Sequence, residues 1–116
     1  MGKNELEERT LRFACDVVGL VSGIRNGILR DVIGKQLLKS STSVGANYRE
    51  ANRAESRDDF KHKIALCEKE ASETVYWMEI CSRKMVASEG MIEEMKAEAS
   101  ELLAIFCAIG RKLRRR

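Results

Sequence analysis

The sequence predicts an all-α protein, an antiparallel up-down-up-down four-helix bundle. Two observations support this class. The 116-residue chain contains no proline and few aromatic residues, whereas Ala, Leu, Glu, Lys and Arg are abundant, a composition typical of helical proteins. Apolar and small residues also recur at alternating steps of three and four along four segments, which is the period of helices that pack side by side. The length fits a single domain over residues 1–116.

The first helix is predicted over approximately residues 4–25. Asn4 followed by Glu7 resembles a capping box at its start. The Asn26–Gly27 pair predicts the turn that follows. The residues expected to face the core are Leu6, Thr10, Phe13, Val17, Leu20 and Ile24, with Leu11, Ala14, Val18 and Val21 broadening this apolar stripe.

The second helix is predicted over approximately residues 29–54. Its core positions are Ile33, Leu37, Ser40, Val44, Asn47 and Ala51. Propensity alone favours a loop over Ser40–Gly45, because Ser, Thr and Gly disfavour helix. The period continues through this segment, however, and therefore predicts an uninterrupted helix whose small residues let two helices approach closely.

The third helix, over approximately residues 57–87, has the longest regular pattern. Ser56 is the expected N-cap, and Asp58 and Asp59 suit the positive end of the helix dipole. The predicted core positions are Phe60, Ile64, Cys67, Ala71, Thr74, Met78, Cys81 and Met85.

A second, partly polar stripe runs beside these core positions. It consists of Leu66, Glu70, Glu73, Trp77 and Ile80. Either this stripe thickens the core, or it contacts a neighbouring subunit, where Trp is a favoured anchor. These five residues are the candidate subunit interface.

The fourth helix is predicted over approximately residues 91–114, after the break at Ser88–Gly90. Its core positions are Ile92, Met95, Ala99, Leu102, Phe106, Ile109 and Leu113. Because the three connections are short, consecutive helices are expected to run antiparallel.

Positive charge is concentrated in the C-terminal tail, residues 111–116, while the whole chain carries a net charge of +3. A basic helix end suits the helix dipole and is also typical of phosphate-binding tails. A second basic group, mixed with acidic residues, lies on the second helix and its exit. The candidate nucleic-acid contacts are Lys35, Lys39, Arg49, Arg53, Arg57, Arg111, Lys112, Arg114, Arg115 and Arg116.

Catalytic and metal-binding patterns are weak. The four cysteines are far apart in sequence and are expected to fill the core. A di-iron bundle requires a Glu-x-x-His on each of two helices, and the chain has one histidine, His62, expected at the surface. Glu70 and Glu73 are expected to pair with arginines such as Arg49 or Arg53. The sequence therefore predicts neither an enzyme nor a cofactor or metal site.

The chain shows no apolar segment long enough to cross a bilayer and no secretion signal. We therefore expect a cytoplasmic protein without a membrane partner.

Two segments resemble a known bacterial family. Residues 43–51, S-V-G-A-N-Y-R-E-A, are similar to its S-I-P-x-N-I-x-E-G segment, and residues 59–77 are similar to its K-D-F…I-A-L-K-E-A-x-E-T-x-Y-W run. This is the four-helix-bundle family encoded by intervening sequences inside 23S ribosomal RNA genes. Gly45 stands where the family usually has Pro, and Ala51 where it usually has Gly.

The resemblance implies a bundle that assembles into a ring, usually of five subunits, and a distant relationship to the accessory protein of diversity-generating retroelements, which works with a reverse transcriptase and nucleic acid. It implies no settled enzymatic activity. The resulting hypothesis is a non-catalytic, homopentameric scaffold that binds RNA, DNA or a nucleic-acid-handling protein. The alternatives are a protein–protein interaction module without a nucleic-acid role and, third, a di-metal enzyme.

Overall fold

Four antiparallel α-helices form a bundle with extents of 46 × 21 × 21 Å. The computed structural model describes residues 1–84 and 86–115; Met85 and Arg116, which the sequence places in the core of the third helix and in the basic tail, lie outside these residues. The helices are α1 (Lys3–Ser22), α2 (Lys35–Ala51), α3 (Arg57–Arg83) and α4 (Glu89–Arg114), and a π-helical segment (Leu29–Gly34) leads into α2. The predicted all-α four-helix bundle is confirmed.

Each helix packs against two neighbours and lies diagonally opposite the third. α1 contacts α2 and α4, and α3 also contacts α2 and α4. α1 and α3 therefore occupy opposite corners of the bundle and run in the same direction. α2 lies between them, so that one side of the bundle is formed by α1 and α2 and the adjacent side by α2 and α3.

The core consists mainly of the positions that the three-and-four period predicts. All six core positions predicted for the first helix are buried, as are Ile64, Cys67, Ala71, Thr74, Met78 and Cys81 of α3. Leu11 and Val18 differ from the prediction, because their side chains are 45% and 47% exposed. They lie beside the line of α1 that faces α2, and the two neighbours of α1 leave that flank uncovered.

α2 is continuous through Ser40–Gly45, as the period predicts. Ser and Thr hydroxyl groups often disfavour helix, but in α2 they donate to carbonyl oxygens of the preceding turn. Thr42 Oγ1 donates to the Leu38 carbonyl oxygen (2.7 Å), and Ser43 Oγ donates to the Lys39 carbonyl oxygen (2.7 Å). The buried hydroxyls of Ser40 and Thr74 lie 2.9 Å apart and hydrogen-bond α2 to α3.

Glycines set the close approach of α1 and α2. A Cβ atom at Gly34 would lie 2.9 Å from Val21 Cγ1, and one at Gly45 would lie 3.0 Å from Thr10 Oγ1. The predicted role of small residues on this helix is therefore found at its contact with α1. Because Gly45 occupies the position where the family usually has Pro, α2 also keeps a backbone N–H there.

The helix caps agree with the sequence at Ser56 and differ at Asn4. Ser56 Oγ accepts a hydrogen bond from the Asp59 backbone N–H (3.0 Å). The predicted Asn4–Glu7 capping box is wrong, since α1 begins after Gly2 without a side-chain cap. Glu7 instead accepts a hydrogen bond from Asn52 Nδ2 (2.8 Å) and links α1 to the end of α2.

Candidate subunit and nucleic-acid interfaces

The structure places most of the predicted nucleic-acid contacts at one end of the bundle. The carboxyl ends of α2 and α4 and the amino end of α3 meet there, and Arg57 Nη2 donates a hydrogen bond to the Leu113 carbonyl oxygen (3.2 Å). We call this region the basic end. Its described cations are Arg53, Arg57, Arg111, Lys112, Arg114 and Arg115.

The remaining predicted contacts lie along α2. Lys35 and Lys39 are in its first two turns, and Arg49 is in its last turn. At 1.5 Å per residue, Lys35 and Arg53 are separated by roughly 27 Å along the helix axis. Arg49 therefore lies near the basic end, whereas Lys35 and Lys39 form a separate group at the other end of α2.

At the basic end one arginine is held close to the bundle. Arg114 Nη1 lies 3.8 Å from Glu68 Oε2, and the absence of a side chain at Gly110 leaves room for both groups. Arg111 and Lys112 are exposed and form no ion pair with any residue that the structure describes. Asp58 and Asp59 lie in the first turn of α3 at the same end, so its charge is basic on the α4 side.

The second stripe of the third helix forms an outer surface of the bundle. We define the α3 surface as Leu66, Glu70, Glu73, Trp77 and Ile80. Glu73 is exposed and the other four are half-buried, and Trp77 packs partly against the core. Tyr76, a residue that the sequence reasoning did not select, is 61% exposed; its ring meets that of Trp77 edge-on at 5.0 Å. The surface is thus partly apolar and partly open.

Glu70 is the unusual group of the α3 surface. Its Oε1 atom is buried and has no hydrogen-bond partner among residues 1–84 and 86–115. Burial raises the pKa of this carboxyl, the nearby Glu73 raises it further, and Lys69 and Lys39 oppose the shift. A buried carboxylate oxygen without a donor is costly, and this cost disfavours the charged form of the Glu70 side chain.

The expected pairing of Glu70 or Glu73 with Arg49 or Arg53 is absent within the described part of the chain. The ion pair that joins α2 to α3 is formed instead by Lys63 Nζ and Glu50 Oε1, 2.8 Å apart. Lys63 directly precedes the buried Ile64, and Glu50 directly precedes the buried Ala51. The core period identifies the buried residues but not the ion pair between their neighbours.

A second partly apolar outer surface lies on α1 and α2. Val21 and Gly34 mark where the two helices touch, and Leu11 and Val18 stand one turn from that line on the outer side of α1. On α2, Lys35, Thr42 and Arg49 recur every seven residues, and Thr42 lies one turn before Gly45, which faces Thr10 of α1. We define the α1–α2 surface as Leu11, Val18, Lys35, Thr42 and Arg49.

The sequence reasoning missed the α1–α2 surface because it assigned Leu11 and Val18 to the core. All three of its polar residues are exposed. Lys35 and Arg49 have no ion-pair partner within the residues described here. The surface is therefore apolar on α1 and basic on α2.

The cysteine prediction holds for two of the four residues. Cys67 and Cys81 are buried, and burial raises the pKa of the Cys67 thiol to about 12 and that of Cys81 in the same direction. Cys107 is half-buried, and Cys15 is exposed, contrary to the expectation of a core position. His62 is exposed as predicted. Across the described ranges, no three His, Cys, Asp or Glu side chains are grouped closely enough to hold a metal ion.

A groove of about 920 Å³ runs between α1 and α4. Its floor includes Phe13 and Met95. At one end Arg9 bonds to both carboxylate oxygens of Glu98, at 2.7 Å each, and also contacts Glu101 at 3.2 Å. These ion pairs link α1 to α4 across the groove.

No described helix is long and apolar enough to cross a lipid bilayer.

Fold and surfaces together define a class: a small antiparallel four-helix bundle with a basic end and two partly apolar sides. The model of the 23S rRNA-intervening sequence protein family matches residues 3–108, and the chain belongs to this family. A crystal structure of a protein of unknown function from the S23 ribosomal protein family of Bacteroides thetaiotaomicron is similar, with a TM-score of 0.85 and 35% identity over 96% of this chain and 99% of that one. Among curated proteins, none matches the chain.

Proposed function

We propose that this protein is a non-catalytic, ring-forming scaffold, a homopentamer, that binds RNA or DNA, or a protein that handles them, through its basic end. The observation that carries the nucleic-acid part is the gathering of cations at the carboxyl end of α4, where Arg111 and Lys112 are exposed. Cations free of acidic partners displace the counterions condensed on nucleic-acid phosphates, and this displacement is the main source of non-specific affinity.

The α3 surface supports the assembly part of the proposal. It combines the half-buried side chains of Leu66, Trp77 and Ile80, and a second copy of the chain covers the apolar area that they leave open. Burial of each large apolar side chain contributes about 2 kcal/mol. The family to which the chain belongs is consistent with this proposal, and so is the similar protein's assignment to a ribosomal protein family.

Binding of ribosomal RNA on filters across a salt series tests the nucleic-acid part. We expect binding at low salt that weakens steeply as salt rises, and a large loss of affinity when residues 111–116 are removed. A matched pair of variants separates position from net charge: Arg111→Ala/Lys112→Ala at the basic end, and Arg83→Ala/Lys84→Ala at the carboxyl end of α3. Only the first pair is expected to weaken binding; equal effects of both, or no binding at low salt, contradict the proposal.

The alternative role, a protein–protein interaction module, is distinguished by affinity capture from a nuclease-treated lysate. Loss of the captured partner after nuclease treatment supports contact through nucleic acid. Retention of a stoichiometric polypeptide by the Arg111→Ala/Lys112→Ala variant supports the alternative.

A further inference from the structure

We propose that copies of this chain associate head-to-tail, with the α3 surface of one copy seated on the α1–α2 surface of the next. This inference rests on the assembly part of the proposed function and adds to it the receiving surface, which the family match does not assign. Three observations support it: the chemistry of the two surfaces, their height along the bundle and their inclination.

The two surfaces are complementary in charge and both contain apolar residues. The α3 surface carries Glu70 and Glu73 beside Leu66, Trp77 and Ile80, whereas the α1–α2 surface carries Lys35 and Arg49 beside Leu11 and Val18. Contact between two copies of the α3 surface would instead bring four carboxylates together. Head-to-tail contact brings Lys35 and Arg49 of one copy toward the exposed Glu73 of the next.

The two surfaces also lie at the same height. On one side of α2, Gly45 packs against Thr10 of α1; on the other side, the carbonyl oxygen of Val44 accepts from Cys67 Sγ of α3 at 3.6 Å. Thr10 and Cys67 are therefore level. Because α1 and α3 run in the same direction, Leu11 and Val18 lie level with residues 68–75, in the middle of the α3 surface.

Equal height matters because cyclic assembly keeps every copy at one level. A head-to-tail contact between surfaces at different heights produces a helical filament, whereas surfaces at one height allow a ring to form when the rotation between copies closes. The α1–α2 and α2–α3 sides are adjacent sides of the bundle, since α2 contacts both α1 and α3. Surfaces inclined in this way turn each copy relative to the last, as a closed ring requires.

Complementary disruption of the two surfaces tests this inference by light scattering. Leu11→Glu/Val18→Glu changes two exposed residues of the α1–α2 surface, and Leu66→Lys/Glu73→Lys changes the α3 surface. Each variant alone is expected to have the mass of one subunit, 13.1 kDa, with its association weakened by about a hundredfold. When the two variants are mixed, the intact α3 surface of the first can still bind the intact α1–α2 surface of the second. We therefore expect a one-to-one dimer.

The control is Met91→Glu/Ala97→Glu, which adds the same two charges to exposed residues of α4, away from both surfaces, and is expected to assemble like the wild type. Helical circular dichroism confirms that each variant is folded. Should the α3 variant not fold, the Leu11→Glu/Val18→Glu result alone decides.

A wild-type mass for folded Leu11→Glu/Val18→Glu overturns the head-to-tail contact, leaves the proposed assembly intact and assigns the α1–α2 surface to a different partner. A wild-type protein that is itself monomeric overturns the proposed assembly, and the head-to-tail contact with it. Dimers of Leu11→Glu/Val18→Glu without any mixing identify a two-fold contact and also overturn the inference.

Discussion

Single glycines show how closely the helices are fitted. Gly34 faces Val21 at a distance that excludes a methyl group, and Val21 cannot rotate away easily because its β-branched side chain is restricted within a helix. A methyl group at Gly19 of α1, by contrast, would meet no atom within 4 Å. These two positions separate the effect of packing from that of helix propensity.

We predict opposite effects of alanine at these two glycines. Gly19→Ala is expected to raise the free energy of unfolding by about 0.5–1 kcal/mol, because alanine favours helix over glycine and meets no neighbour. Gly34→Ala is expected to lower it by about 1 kcal/mol, since overpacking outweighs the gain in propensity. Urea denaturation followed by circular dichroism measures both changes. A stabilising Gly34→Ala would show that α1 and α2 separate readily.

The Glu70 carboxyl predicts a pH dependence of stability. Burial raises its pKa in the folded chain, so the folded state binds the proton more tightly than the unfolded state does. This contribution is present below the ordinary glutamate pKa and is lost as the pH rises through the raised value. Glu70→Gln, which cannot ionise, is therefore expected to be more stable than the wild type at pH 7.

The measurement is thermal melting of wild type and Glu70→Gln between pH 3.5 and pH 7, at a protein concentration where both are monomeric. The stability advantage of Glu70→Gln is expected to disappear toward the lower pH. Glu8→Gln is the control, because Glu8 is exposed and lies on α1, away from Glu70. An advantage of Glu70→Gln that is constant with pH would contradict the role of ionisation.

Among the elements, α1 is held differently on its two sides. Against α2 it packs through Gly34 and Gly45 at very short distances, whereas toward α4 it borders the groove of about 920 Å³. The bond of Arg9 to Glu98 bridges that groove, and it raises the pKa of the Arg9 guanidinium. Both side chains are partly buried, at 23% and 29% exposure, which favours a stronger interaction than a solvated surface pair provides.

We predict that Arg9→Ala lowers the free energy of unfolding by about 1 kcal/mol and speeds amide hydrogen exchange in α1 more than in α3. Arg12→Ala is the control, because Arg12 is exposed and forms no ion pair with a described residue; it is expected to change stability by less than about 0.5 kcal/mol. Equal effects of both variants would indicate that packing alone fixes α1 against α4.

The positions of the four helices could be predicted because a helix that packs against a core has apolar residues at steps of three and four, and this period is visible in the sequence. The run Ser40–Gly45 illustrates this: its local propensity opposes helix, and the period indicates helix because burial against α1 and α3 outweighs propensity. The capping prediction at Asn4 was wrong because Glu7 bonds to Asn52, 45 residues away. A hydrogen bond between residues so far apart in sequence does not produce a periodic pattern from which it could be predicted.

The candidate surfaces are less predictable for the same reason. Leu11 and Val18 fit the edge of an apolar stripe, and their exposure depends on which two helices flank α1 and at what distance. The unpartnered oxygen of Glu70 likewise depends on atomic geometry. By contrast, the α3 surface could be selected from sequence, since its stripe exceeds the width that one buried helix face requires.

At the scale of the whole molecule, the two side surfaces and the basic end are different regions, to which we propose different roles. The side surfaces run along the bundle, whereas the basic end is at one pole. In a ring built from the side surfaces, every copy has the same orientation, so all basic ends lie on one rim. Under the proposed function, several tails on one rim would bind a single nucleic acid with an effective concentration that one tail lacks.

This arrangement predicts that assembly and RNA affinity are coupled although their residues differ. Leu11→Glu/Val18→Glu keeps the complete tail, yet it is expected to bind ribosomal RNA more weakly than the wild type and with a shallower dependence on salt. The slope of log affinity against log salt falls by about 0.7 for every phosphate of a single strand that the protein no longer neutralises. Met91→Glu/Ala97→Glu, which adds equal negative charge without touching the side surfaces, is expected to keep the wild-type slope. An unchanged slope for both double variants would mean that a single basic end binds RNA by itself, and the rim of aligned tails would then have no part in affinity.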